Sequence, residues 1–84
     1  MSARDLARAL EHLEAGKWNE AHAIAQADPS DLGSWCHGIV HMLEPDESNA
    51  RYWYRRAGRA FPGMGTASSE MAALRATLTG TPAS

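Results

Sequence analysis

One pattern occurs twice in this chain. Leu13-Glu14-Ala15-Gly16 leads into Ala21, and Leu43-Glu44-Pro45-Asp46 leads into Ala50. Each time an apolar segment with helical spacing ends, a short breaker follows, and a second helix-like segment opens on a small residue. A unit of this kind cannot bury its apolar face alone, but a neighbour laid beside it can cover that face. The echo predicts two helical hairpins packed side by side, which would bring His22, His37 and His41 near one another. No segment alternates polar and apolar residues long enough for a strand, so the expected class is all-α.

Five helices and a tail follow from the punctuation. Leu6, Leu10 and Leu13 form one stripe of a helix over about 2–14, stopped by Gly16. Trp18, Ala21, Ile24 and Ala25 mark a second helix over 18–27. Asp28-Pro29-Ser30-Asp31 reads as a start signal for a third, with Asp28 as cap and Pro29 in the first turn. That helix runs to about Glu44. Leu32, Trp35, Cys36, Ile39 and Leu43 share one side of it, and Ser34, His37, Gly38 and His41 share the other. Gly38 inside a helix costs about 1 kcal/mol relative to alanine, which is tolerable where another backbone approaches. A fourth helix over 47–61, capped by Asp46 or Ser48, carries Ala50, Tyr54, Ala57 and Phe61 on its apolar side and Arg51, Arg55 and Arg59 opposite. Pro62-Gly63-Met64-Gly65 breaks the chain, and Met71, Leu74 and Leu78 space a last helix over 68–78. One domain over 1–79 with a disordered tail over 80–84 is the expected organisation.

Composition narrows the function classes. The apolar fraction of 44% is that of a folded chain, and 84 residues make one small domain. The net charge of −2 gives no electrostatic pull toward nucleic acid or anionic lipid, so neither is an expected partner. A single cysteine, Cys36, excludes an internal disulfide and points to a reducing compartment. With no apolar run of membrane-spanning length and no secretory pattern at the N-terminus, a cytoplasmic protein is expected.

The second unit resembles a tetratricopeptide repeat. Gly38, Ala50 and Ala57 match its small positions, Tyr54 matches an aromatic position, Pro62 matches the closing proline, and His41 stands where an aromatic is usual. Ala9, His12, Gly16 and Ala21 match in the first unit. Ala21 and Ala50 stand 29 residues apart, short of the roughly 34 of that repeat. The resemblance implies two TPR-like antiparallel hairpins with a C-terminal capping helix. The segments Ala21-His22-x-x-Ala25-Gln26, Trp35-x-His37-x-x-x-His41-x-x-Glu44 and Asn49 to Arg59 also resemble a group of small bacterial proteins. That likeness implies the same helical fold and no particular activity.

Two constellations carry chemistry. His37 and His41 are i, i+4 and project from one helix face, with Glu44 three residues further on; Gln26 stands at i+4 from His22. If the second and third helices pack together, three imidazoles and a carboxylate converge, a donor set that suits zinc, iron or copper. The same rings can serve instead as packing groups, with His41 bonded to Tyr54 or to a carbonyl. A metalloprotease is excluded, because Gly38 occupies the place of the catalytic glutamate in the His37–His41 spacing. The other constellation is Tyr52 and Trp53 with Arg51, Arg55, Arg56 and Arg59, which suits an anion or nucleotide. Its plainer reading is core aromatics beside a solvated basic face, paired with Glu47.

The expected function is a protein-interaction module, offering a groove to a peptide or protein and covering its end faces by self-association through Met64, Leu74 and Leu78. Metal binding or hydrolysis at the histidines is the alternative, and anion binding on the arginine-rich helix is the third.

Overall fold

A computed structural model describes residues 3–80. The chain runs through α1 (Ala3–Glu14), α2 (Trp18–Gln26), α3 (Asp31–Leu43), α4 (Glu47–Arg56), a 3-10 turn (Met64–Thr66) and α5 (Ala67–Thr79). Among the described residues there is no strand. The all-α class and the five helices expected from the sequence are what the chain adopts. Of the expected tail only Gly80 falls within the described residues, where its left-handed backbone closes α5.

α1 pairs with α2 and α3 with α4. α5 does not simply extend this series: it lies against α3 and also reaches back to α1. α3 therefore touches every other helix. Each residue from Gly33 to Met42 is buried, so the side of α3 carrying Ser34, His37, Gly38 and His41 is as enclosed as the side carrying Trp35 and Ile39.

Gly38 makes the tightest of these contacts possible. A Cβ built there would stand 2.5 Å from Tyr54 Cδ1 and 3.3 Å from the Ala50 carbonyl oxygen. With only a hydrogen on that carbon, α4 comes close enough for the Tyr54 ring to be fully enclosed. Glu70 then ties the last helix in. Its Oε1 accepts from Tyr54 Oη at 2.6 Å and from Trp35 Nε1 at 3.0 Å, joining α5 to both α4 and α3.

Several expectations change. α3 starts at Asp31, not at Pro29, and Ser30 is its cap, accepting from the Gly33 amide at 3.0 Å. Asp28 is buried and holds the turn by accepting from the Ser30 amide. α4 is five residues shorter than expected. Gly58 adopts φ +73, and the Arg59 amide donates to the Tyr54 carbonyl while the Gly58 amide donates to Arg55, a glycine-dependent helix end. Phe61 thus reaches Tyr54 from the following loop, edge-on at 5.5 Å. Leu43 is 46% exposed, not buried, because at the end of α3 it lines an open groove beside Leu13 and Met71. Leu74, expected in an exposed patch, is fully enclosed in the core.

Candidate metal centre

The three histidines meet between α2 and α3. His22 lies on α2, one turn after Trp18; His37 and His41 lie one turn apart on α3. One ligand nitrogen from each falls within 4.8 Å of the others. His37 and His41 are 4% and 7% exposed, whereas His22 is half-buried and forms the outer edge.

Aromatic faces hold the rings in place. Trp53 stacks on His37 with centroids 3.8 Å apart and planes 11° from parallel. Trp18 stacks on His22 at 4.8 Å, and its Nε1 donates to the Val40 carbonyl at 2.8 Å, fixing the start of α2 to α3. His37 and His41 lie nearly face to face at 4.9 Å. Trp18 was read from the sequence only as an apolar residue. Its i, i+4 relation to His22 is the signal that could have marked it as a wall of the site.

The hydrogen bonds define which nitrogens are available. His41 Nδ1 lies 2.7 Å from Glu44 Oε1. A carboxylate accepts, so a hydrogen sits on Nδ1 and Nε2 is the nitrogen that remains for a metal. This is the arrangement that orients metal-binding imidazoles. The bond to Glu44 replaces the Tyr54 or carbonyl partner that packing alone would give His41; Tyr54 bonds Glu70 instead. His37 Nε2 and His22 Nε2 are 3.1 Å apart, so one hydrogen lies between them. His37 Nδ1 is buried with no partner. A bare lone pair is the cheaper orphan there, which puts the hydrogen of His37 on Nε2, donating to His22.

Burial, reinforced by the neighbouring rings of His41 and His22, pushes His37 down to about 4. His22 is lowered for the same first reason and by His41, with Glu44 pulling the other way. At neutral pH His37 carries no charge, as a metal ligand must not.

The other residues singled out in the sequence fare differently. Glu44 joins the cluster through His41. Gln26 is exposed at the end of α2 and forms no hydrogen bond with the imidazoles. Asp46 also lies near His41, but it is the cap of α4, accepting from the Asn49 amide and from Asn49 Nδ2 at 2.8 Å. Cys36 is enclosed in the core, and burial raises its thiol to about 12, so it supplies no thiolate.

The arginine-rich set does not converge. Arg51 pairs with Glu47 at 2.8 Å, as expected, and lies over Phe61. Arg59, expected on a solvated helix face, follows the end of α4 and covers the Trp35 ring at 3.6 Å. Arg56 lies 5.5 Å from the Trp53 ring, Arg55 is exposed, and Tyr52 meets Trp53 edge-on. Three of the four guanidiniums are thus tied to separate aromatic rings, and no shared anion pocket results.

Fold and site together define a small five-helix protein built around a buried, aromatic-walled histidine cluster. No family model, curated protein or solved structure matches the chain.

Proposed function

We propose that this chain is a small helical metal-binding protein, with His22, His37 and His41 as ligands for an imidazole-preferring transition metal (zinc, iron or copper). The observation that carries the reading is the convergence of three imidazole nitrogens from two helices, two of the rings nearly enclosed. At metal–nitrogen distances of about 2.0–2.1 Å, ligands of a tetrahedral ion sit about 3.3 Å apart. The 3.1 Å separation of His22 and His37 Nε2 is already close to that edge. A metal ion would take the place of the hydrogen they share.

The energetics permit a metal here. Moving the His37 hydrogen to Nδ1 leaves a buried donor unpaired, at about 1–3 kcal/mol. Structural zinc in small domains contributes about 10 kcal/mol or more, so that penalty is readily offset. Without a metal, a phenylalanine at 37 would fill the same stack beside Trp53 with no orphaned nitrogen. The reading is of binding and not of catalysis. Neither of two cavities, of about 380 and 260 Å³, is lined by a histidine; the smaller reaches the edge of the site at Trp18, the wall of His22.

The test is equilibrium dialysis of the full chain against mixed zinc, iron and copper, followed by elemental analysis. One metal per chain is expected, lost in His37→Ala and His41→Ala with helicity retained. A protein that retains no metal, and whose variants only melt earlier, would show that the rings merely pack.

A second reading, an interaction surface, rests on the groove where Leu43 lies exposed beside Leu13 and Met71. It calls for sedimentation of the full chain over a concentration series. A mass increase abolished by Leu43→Asp supports self-association there, and a monomer throughout counts against it.

A further inference from the structure

The donor set and its surroundings point beyond metal binding in general. We infer that the centre is selective for a monovalent ion, Cu(I), held by His22, His37 and His41 alone; this rests on the metal-binding reading above.

Charge is the first argument. The three ligands are neutral imidazoles. Two carboxylates lie near them, and both are engaged: Glu44 with His41 Nδ1 at the exposed rim, and Asp46 as the cap of α4. The cost of taking an ion out of water grows with the square of its charge, so a divalent ion pays about four times the desolvation of a monovalent one. Neither carboxylate belongs to the ligand set, so a dication keeps twice the charge of a monocation against rings that are 4% and 7% exposed.

Coordination number is the second. Zinc in a closed site takes four ligands, whereas copper sites accept three strong donors. Among the described residues no fourth protein donor is free, so zinc would need a water to complete its set. Asp46 is engaged as the cap of α4, and Cys36 lies in the core with its thiol protonated. The walls are the third. Indole faces lie flat on two of the three ligands, Trp18 on His22 and Trp53 on His37. They shield those ligand rings from water, which penalises a doubly charged ion most.

The experiment uses the metal-free full chain under anaerobic reducing conditions. Cu(I) is competed against bicinchoninate, and Zn(II), separately, against a chromophoric zinc chelator. One Cu(I) per chain is expected, bound at least 1000-fold more tightly than zinc. His22→Ala alters only a half-buried position, so it should fold and lose Cu(I) affinity at least 100-fold; Cys36→Ala should keep it. Zinc binding as tightly as Cu(I) overturns the selectivity while leaving the metal centre standing. Binding of neither ion ends the Cu(I) inference, and ends the metal-binding reading as well if the dialysis above also retains no iron. Cu(I) binding unchanged in His22→Ala, or lost in Cys36→Ala, overturns the three-histidine assignment.

Discussion

Replacing Gly38 with alanine tests the packing on which the site depends. The added methyl would lie 2.5 Å and 2.7 Å from two carbons of the Tyr54 ring, whereas ordinary contacts begin at 3.4 Å. The ring must retreat by nearly an ångström. It has nowhere to go: Tyr54 is fully enclosed, its hydroxyl is bonded to Glu70 at 2.6 Å, and Phe61 meets its edge. Overpacking against a ring that cannot move falls in the upper part of the usual range, about 2–3 kcal/mol, and alanine returns about 1 kcal/mol of helix propensity. The net loss is about 1–2 kcal/mol, or roughly 4–16 °C in melting temperature for a domain of this size. Thermal and urea unfolding followed by far-ultraviolet circular dichroism measure it. Combined with Tyr54→Leu, the penalty of Gly38→Ala should shrink by about 0.5 kcal/mol or more, since the obstructing ring is gone. A melting temperature equal to or above that of the unaltered protein would refute the account, because propensity alone would then decide the outcome.

Three further outcomes follow from the same coordinates. The metal-free protein should lose stability as pH falls from about 6.5 toward 4: the unfolded chain takes up a proton at His37 that the folded one refuses, a difference of up to about 3 kcal/mol. His22 and His41 face that ring and reinforce the shift, so urea midpoints at pH 7 and pH 5, with His37→Phe as the flattened control, isolate the effect. Tyr54→Phe removes a hydrogen bond to a carboxylate and should cost about 1.5–3 kcal/mol in chemical unfolding. Cys36 should not react with a thiol reagent at pH 8 in the native state and should react fully in urea, since burial raises its thiol to about 12.

The sequence carried the helices because periodicity and breakers are local signals. Leu6, Leu10 and Leu13 all proved buried, and Asp46 proved to be the cap of α4. The end of α4 was misjudged because Ala57 and Phe61 continue a helical spacing, whereas Gly58 between them terminates the helix. The histidine meeting was legible as a consequence of pairing α2 with α3. Its chemistry was not, because stacking by Trp18 and Trp53 and the bond from His41 to Glu44 depend on how side chains turn. Arg59 over Trp35 was invisible for the same reason: a residue assigned to a helix face lies beyond the helix.

The enclosure of α3 on every side has a consequence for how such a chain can vary over generations. An ordinary surface helix has a wet half on which replacements drift freely, whereas ten successive positions here each press on some neighbour. Accepted changes should therefore gather in α1, α5 and the connecting loops. Residues 33–42 would then act as the slow clock of the lineage, changing only in concert with Tyr54, Trp53 or Glu70.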